Sequence, residues 1–294
     1  MELFSELKPD VLVASIVYTL LGLEALQGNQ EVLGTTLSDD DQDLLGLSDT
    51  KDGPRLWTAF AKIAPDIGEN HALQLGLSYA HNTQHQEAGE NELELDGEAG
   101  REEGIADHEG NDHDDHAEHT HALLQNGLEG DADLWGVDVV YKYDADAAYG
   151  KGDFKFQAEY LRSIKDMKIR SANLIDEETG EILDSGSALL GSTRKFTTDG
   201  LYAQAVYGFA PKWTAGLRYE VLGLTNKVSG GEGADFGSSD RWTLDFTWNL
   251  SEFSRLRAQY ARNDILVLPG ERERFDAFYL QFLMSLGAHG AHPF

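Results

Sequence analysis

The sequence contains no cysteine and few basic residues, and both absences restrict its function. Without cysteine, the chain can form no disulfide, no thiolate metal site and no cysteine nucleophile. Its 23 lysines and arginines are outnumbered by 52 aspartates and glutamates, which gives a net charge of −29. Because phosphate binding needs a basic surface, nucleic acid is not an expected partner.

Long hydrophobic runs are scarce as well. The run 11–26 is interrupted by Glu24 and is shorter than the ~20 residues that a membrane-spanning helix needs. Glu2 and Glu6 dilute the basic start of a signal peptide, and no small-x-small cleavage site follows. A secreted protein needs such a signal, so we expect this chain, if it is secreted, to be part of a longer precursor. Residues 1–16 are an N-terminal segment of uncertain structure.

What the sequence has instead is alternation of apolar and polar residues. From Phe278 to Leu286, apolar residues alternate with a second set that includes Tyr279, Gln281 and Ser285. A period of two predicts a β-strand, because successive side chains leave opposite faces of the strand. Nine residues at about 3.3 Å each reach about 30 Å, close to the thickness of a hydrocarbon core crossed at a tilt.

The same pattern recurs along the chain and predicts ten strands. These are 18–27, 55–64, 73–80, 135–143, 154–160, 201–209, 213–221, 242–250, 254–262 and 278–286. Long connections (28–54, 82–133, 164–199, 223–240, 263–274) alternate with short ones (65–70, 145–152, 210–212, 251–253). Transmembrane barrels have short periplasmic turns and long extracellular loops. We therefore predict an all-β, antiparallel up-and-down transmembrane barrel over 17–294, with a soluble β domain as the alternative.

The polar face of the predicted strands carries charges of both signs. Such a face is either an internal salt-bridge lattice or a mixed-charge pore lining. The predicted pore-lining residues are Lys155, Glu159, Arg218, Glu220, Asp245, Arg255, Arg257 and Gln281. Ten strands enclose little more space than eight, whose side chains nearly fill the interior. We expect a narrow or plugged barrel if the chain closes alone, and a wider pore if it ends a longer chain.

The loop 82–133 holds the densest set of potential metal ligands. It has 17 acidic residues and one basic residue, a net charge of −16. Imidazole and carboxylate without thiolate suit zinc, nickel or copper(II). The predicted metal-binding residues are His108, His113, His116, His119, His121, Asp112, Asp115 and Glu118. His81 and His85, at the rim of the preceding strand, could join them.

The composition of this loop also limits the kind of metal site. Its low complexity argues against one rigid, closed site, so we expect weak, loop-bound zinc and no tightly bound cofactor. The alternative is an acidic surface loop that has no ligand role and only keeps the protein soluble.

Two segments resemble a known family. GLYAQ at 200–204 with GLRY at 216–219, and SLGAHGAHPF at 285–294, resemble the C-terminal half of proteobacterial outer-membrane porins. The likeness covers about 50–294 and is greatest to a group called zinc-regulated outer-membrane receptors. It implies location in the bacterial outer membrane, contact with its lipid, and recognition of the last strand and Phe294 by the barrel assembly machinery. No segment resembles a TonB box or a plug domain, so the resemblance does not imply energised, gated uptake.

Together these features predict an outer-membrane porin-like channel for small solutes, whose His-rich loop gathers divalent metal for uptake. A ten-stranded outer-membrane hydrolase or protease and a purely structural barrel are the alternatives. A hydrolase needs acidic and histidine groups fixed at the barrel mouth, whereas the Asp-His pairs here lie in a low-complexity loop. The sequence has no G-x-S-x-G, P-loop or H-E-x-x-H motif, so we do not expect an enzyme.

Overall fold

The fold is one antiparallel β-sheet whose main strands follow chain order. A computed structural model describes residues 17–29, 31–95, 120–176, 182–184, 190–230, 234–235, 237–268 and 270–285. Its strands are β1 (Val17–Leu26), β2 (Leu56–Pro65), β3 (His71–Leu95), β4 (Thr120–Tyr143), β5 (Phe154–Asp176), β6 (Ile182–Asp184), β7 (Thr193–Ala210), β8 (Trp213–Leu222), β9 (Lys227–Ser229), β10 (Ala234–Asp235), β11 (Ser239–Ser251), β12 (Ser254–Leu268) and β13 (Glu271–Met284). One short helix, α1 (Asp39–Leu44), and a 3-10 turn (Ala148–Gly150) accompany them.

The ten main strands pair in the order β1-β2-β3-β4-β5-β7-β8-β11-β12-β13. The short strands β6 and β9 pair with β5 and β7, and β10 pairs with β9. Every pairing is antiparallel, as an up-and-down meander requires. Within the described residues, β1 and β13 are the two edges and do not pair with each other. The predicted all-β, antiparallel up-and-down class and the ten strands are confirmed.

Strand register separates an apolar face from a polar one. Leu77 lies opposite both Ala61 and Val137, and Phe246 lies opposite Ala215 and Ala258. Followed from strand to strand, the register puts large apolar residues of several strands on the same face. These include Leu73, Leu75, Leu77, Phe246, Leu280 and Phe282.

That apolar face is exposed rather than packed into a core. Leu280 is 76% exposed and Phe246 is 54% exposed. The buried apolar cluster that the structure describes is small and centres on Leu33, Leu56 and Ala132. A soluble sandwich would bury its apolar face between two sheets, so this arrangement favours the membrane barrel.

Aromatic residues form two belts on the apolar face. Trp213 and Trp248 stack with ring centroids 5.4 Å apart. Six residues further along the same two strands, Tyr219 and Trp242 lie 4.5 Å apart. Six residues span about 20 Å along a strand, a distance that suits the apolar band between interfacial aromatic girdles. We call these the lower and upper belts; Tyr79 and Trp135 belong to the upper belt, and Tyr141 and Tyr143 to the lower.

The short turns all lie at the end of the lower belt and contact one another. The backbone N–H of Lys212 donates to the carbonyl of Tyr149 at 3.0 Å, and that of Asn249 donates to the carbonyl of Lys212 at 2.8 Å. Both Tyr149 and Lys212 adopt positive φ, at 61° and 67°. The predicted short turns are confirmed and mark the periplasmic end expected for such turns.

The predicted boundaries of the long loops are wrong. β3 continues to Leu95 and β4 begins at Thr120, so most of 82–133 is strand. Likewise β5 extends to Asp176 and β7 begins at Thr193, within the predicted loop 164–199. Backbone pairing between neighbouring strands does not require an apolar face. Beyond the membrane both faces of a strand are polar, so the period-two signal disappears although the strand continues.

The first connection, 27–55, is a folded cap that contains a short helix. Helix α1 begins after Ser38, whose Oγ accepts a hydrogen bond from the backbone N–H of Asp41 at 3.2 Å. Leu45 is 2% exposed and Leu33 is 4% exposed. The aspartates of this segment are exposed, whereas the apolar residues between them are buried and hold the segment in place. We refer to 27–55 as the cap.

Candidate functional site

The predicted pore-lining residues lie on the face opposite the apolar one, which we call the lumenal face. Glu159 is opposite Tyr202, Tyr202 is opposite Glu220, and Glu220 is opposite Arg241. Register places all of the predicted set there: Lys155, Glu159, Arg218, Glu220, Asp245, Arg255, Arg257 and Gln281. These residues share one face because of strand parity. That they line a pore stays a prediction.

Glu220 is the centre of a salt-bridge lattice on this face. Its Oε1 accepts from Nη2 of Arg218 at 2.7 Å, and its Oε2 lies 3.6 Å from Nη1 of Arg241. The guanidinium of Arg218 also lies 4.3 Å from the centre of the Tyr202 ring. Nε of Arg241 donates to Oδ1 of Asn263 at 2.8 Å. The lattice interpretation therefore holds at Arg218 and Glu220.

Sequence reasoning missed Tyr202, Arg241 and Asn263 as members of this lattice. Asn263 lies in the predicted loop 263–274, and Arg241 lies between the predicted loop 223–240 and the predicted strand 242–250. Strand parity could have identified Arg241, because it is two residues before Thr243 and therefore lies on the same, lumenal face.

A groove of about 350 Å³ opens beside the lattice, towards the upper belt. Glu159, Tyr202 and Arg241 form its polar side, and Leu161 and Ile265 are among its apolar residues. Glu159 is half-buried and forms no ion pair with any residue that the structure describes. The groove therefore combines the unpaired carboxylate of Glu159 with the paired guanidinium of Arg241, so it can contact solutes that carry charge of either sign.

Asp245 belongs to a second lumenal cluster nearer the lower belt. It is 8% exposed and accepts a hydrogen bond from Oγ1 of Thr247 at 3.4 Å. Nε of Arg257 donates to the same Thr247 Oγ1 at 3.0 Å. The Asp245 carboxylate lies across Gly216 on β8, where a Cβ atom would be 1.8 Å from Oδ2. Asp138 lies across Gly76 on β3 in the same way.

The remaining predicted pore residues are exposed. Lys155, Arg255 and Gln281 extend from the lumenal face near the periplasmic turns. Within the parts of the chain that the structure covers, none of the three forms an ion pair. The charges of Lys155 and Arg255 are therefore available to ions or solutes at this end, and Gln281 adds a neutral amide.

The cap is held by a buried polar network that the sequence did not reveal. Arg55 is 2% exposed; its Nε donates to the carbonyl of Gln27 at 2.7 Å, and its Nη1 donates to Oε1 of Gln84 at 3.4 Å. Nε2 of Gln86 donates to the carbonyl of Ser48 at 2.6 Å. Buried polar groups need such partners, and here β3 beyond the upper belt supplies them. In the sequence these side chains look like ordinary surface residues.

His85 is part of this network and not a free metal ligand. It is fully buried, with Nδ1 2.7 Å from the carbonyl oxygen of Gly34 and Nε2 2.8 Å from Oε1 of Glu87. Lys165 also pairs with Glu87. The hydrogen bond from His85, together with Lys165, lowers the pKa of Glu87 to about 2, although burial acts in the opposite direction. The suggestion that His85 joins a metal site is wrong, because both ring nitrogens are occupied.

His81 has a partner of its own. Its Nδ1 is 2.8 Å from Oδ1 of Asp133, which also accepts a hydrogen bond from the Tyr79 hydroxyl at 2.6 Å. Where the structure describes side chains, no three histidines or carboxylates come together as a metal site. Among the predicted ligands, His121 lies in β4 with its backbone opposite Glu94. The others, His108, His113, His116, His119, Asp112, Asp115 and Glu118, are outside the described residues.

Comparison with known proteins gives the family. A family model described as TonB dependent receptor-like, beta-barrel matches residues 19–282. This chain belongs to that family. The barrels of the TonB dependent receptor-like family lie in the outer membrane, so the predicted outer-membrane barrel is confirmed at that level. The match does not show membership of the zinc-regulated porin group.

A protein of Aquifex aeolicus (strain VF5) is similar to this chain over nearly its full length. This protein, described as uncharacterized, is 30% identical over 280 residues, which cover 94% of this chain and 48% of the relative. The receptor-like barrel chain thus spans about half the length of this curated relative. Among the described residues, no helix has the length and apolar character needed to cross a membrane.

Proposed function

We propose that this chain forms the wall of an outer-membrane channel that carries small solutes. The observation that carries the proposal is the division of the sheet into two faces. One face is apolar and bears the two aromatic belts, and the other bears charges of both signs. Membership of the TonB dependent receptor-like family supports transport rather than catalysis.

The lumenal charges give this channel a means of selection. Arg218 and Arg241 both pair with Glu220, so the three side chains fix the wall and together carry one positive charge. Glu159 has no such partner and lies in the groove, while Lys155 and Arg255 remain free at the periplasmic end. In a passage with low-dielectric walls, unpaired charges act strongly on passing ions. Glu159 is therefore the residue that we propose to favour cations on the extracellular side.

A second part of the proposal concerns metal. Five histidines lie within the fourteen residues 108–121, and residues 96–121 carry a net charge of −9. β3 continues for sixteen residues beyond Tyr79 of the upper belt, about 50 Å along the strand, before this loop begins. The loop therefore starts well outside the membrane. We propose that it gathers zinc at the outer mouth, through several weak sites.

Flux measurement tests the channel. The protein is reconstituted into liposomes without any energy source, and the entry of small sugars and of potassium chloride is followed. We expect flux above that of empty liposomes and a preference for potassium that falls in Glu159→Lys. The matched control is Glu69→Lys in the short turn at 66–70, on which we expect no effect. Flux equal to that of empty liposomes would contradict passive transport and leave a structural barrel or an energised receptor.

Calorimetric titration with zinc tests the loop separately. The variant has His108, His113, His116, His119 and His121 changed to Ala, and the control has His71 and His81 changed to Ala. We expect the heat of zinc binding to disappear in the first variant and to persist in the control. Equal binding by wild type and the five-histidine variant ends the metal proposal, whatever the flux.

A further inference from the structure

Three arginines project from the apolar face of the sheet beyond the upper belt. The register pairs Arg262 with Asp276, Asp264 with Arg274, and Leu266 with Arg272. These positions have the same parity as Leu280, which lies opposite Ala258 on the lipid-facing side. The three guanidinium groups therefore extend outward from β12 and β13, towards the lipid, rather than into the lumen.

A shared carboxylate holds two of the arginines together. Oδ1 of Asp264 accepts from Nε of Arg272 at 2.6 Å, and Oδ2 accepts from Nε of Arg274 at 2.8 Å. These hydrogen bonds, that from Arg274 first, hold the pKa of Asp264 below its ordinary value, so the carboxylate stays ionised. The side chain of Arg274 is 67% exposed. Its two terminal nitrogens make no hydrogen bond to any part of the chain that the structure describes.

The local charge is balanced although the protein is strongly acidic. Asp264, Asp276 and Asp240, which lies opposite Asp264 on the same face, give three negative charges against the three arginines, in a chain whose net charge is −29. Asp276 has a further partner, since the hydroxyl of Tyr260 donates to its Oδ1 at 2.9 Å. An anion that approaches from the lipid side therefore meets the free terminal nitrogens of Arg274, whereas those of Arg272 already donate to the carbonyls of Ser238 at 2.9 Å and Asp264 at 3.4 Å.

The surface directly below the arginines is among the most exposed apolar regions of the described chain. Phe278 is 79% exposed, Leu280 is 76% exposed and Phe282 is 60% exposed. Arg274 is four residues from Phe278 towards the extracellular end, about 13 Å along β13. The acyl chains of a lipid would cover the apolar residues, and its headgroup would then lie level with the arginines.

We propose that Arg262, Arg272 and Arg274 form a binding site for a phosphate-bearing headgroup of an outer-leaflet lipid. Guanidinium binds phosphate through two parallel hydrogen bonds, and Asp264 presets two of these groups side by side. A lipid fills the headgroup site and the apolar surface together, which free phosphate cannot do. The inference uses the outer-membrane location of the family and is independent of what the channel carries.

Native mass spectrometry of the full chain in detergent micelles tests this site. The probes are diphosphoryl lipid A, monophosphoryl lipid A, phosphatidylcholine and inorganic phosphate. For the variant R262Q/R272Q/R274Q, we expect the half-saturating concentration of diphosphoryl lipid A to rise about tenfold or more, as for loss of charge-assisted hydrogen bonds. The control K62Q/K142Q/R194Q removes the same charge from the lumenal face and should leave lipid binding unchanged.

Comparison among the other probes separates binding of a lipid headgroup from binding of free phosphate and from nonspecific lipid binding. We expect monophosphoryl lipid A to bind less tightly than the diphosphoryl form and phosphatidylcholine to be insensitive to the variants. Equal lipid binding by wild type and R262Q/R272Q/R274Q would overturn the proposal, as would displacement of the lipid by millimolar inorganic phosphate. If the triple variant does not fold, R274Q alone is used, because that side chain is largely exposed; an unchanged affinity there also overturns the site.

Discussion

Nε2 of His85 lies 2.8 Å from Oε1 of Glu87, two residues further along β3. On its other side, Nδ1 of the same ring is 2.7 Å from the carbonyl oxygen of Gly34 in the cap. The His85 side chain therefore joins the cap to the extracellular part of the sheet.

This contact makes the stability of the extracellular region depend on pH. The pKa of Glu87 is about 2, against an ordinary value of 4.5. Because the folded-state value is lowered, the stabilising contribution of the carboxylate is fully present above about pH 4.5 and is lost as the pH falls towards 2. We expect Glu87→Gln to lower the urea midpoint of unfolding at pH 6 and to have little effect near pH 2.

The matched control for this measurement is Glu69→Gln, which changes an exposed carboxylate in a short turn. Its midpoint should follow that of the wild type across the same pH range. A difference between wild type and Glu87→Gln that stays constant from pH 6 to pH 2 would contradict the role assigned to Glu87.

Gly216 and Asp245 provide a prediction about the lumenal wall. A Cβ atom at position 216 would lie 1.8 Å from Oδ2 of the buried Asp245 carboxylate, so Gly216→Ala forces that carboxylate to move. We expect a loss of about 1–3 kcal/mol in the free energy of unfolding. In an Asp245→Ala background the same change should cost clearly less, because the clashing atoms are gone. Urea titrations of the four proteins measure this coupling, and additive effects would show that the two residues do not constrain each other.

The sequence allowed the membrane part of this fold to be predicted because lipid and lumen impose opposite requirements on alternate residues. Leu280 and Gln281 differ in polarity for that reason, and the strand 278–286 was predicted within two residues of its true end. Outside the membrane this requirement ends. β3 and β4 continue there by backbone pairing alone, so Gln86 and Glu129 carry no periodic signal although they are opposite each other.

For the candidate site, the sequence predicts through strand parity which residues share the lumenal face, and it predicts nothing further. Parity places Arg218 and Glu220 on the lumenal face, but it does not give the distances that make one lattice of them and Arg241. The burial of Arg55 and His85 depends on the cap folding back over β3, a contact between residues about thirty to fifty positions apart. No local pattern encodes such a contact. The metal-binding interpretation of the His-rich loop stays a prediction.

Depth in the membrane gives a further prediction. Leu280 lies midway between the ends of the apolar stretch of β13, whereas Phe282 is two residues nearer to its periplasmic end. An arginine near the midplane of a barrel costs about 2–4 kcal/mol, and one near an interface costs much less. We therefore expect Leu280→Arg to destabilise the folded protein more than Phe282→Arg, in urea titrations with lipid vesicles. Lumenal Gln281→Arg is the control, and an equal cost at all three positions would contradict the orientation of β13.

Zinc binding by the loop should weaken in acid. The proposed ligands His108, His113, His116, His119 and His121 bind metal only when the imidazole is neutral, and the ordinary pKa of histidine is about 6.5. Affinity should therefore be greatest above pH 7 and fall steeply through pH 6.5, with protons released on binding. Calorimetry in buffers of different ionisation enthalpy measures that release. Binding that changes little between pH 7.5 and 5.5 would assign the metal to carboxylates, whose pKa values lie near 4, rather than to the histidines.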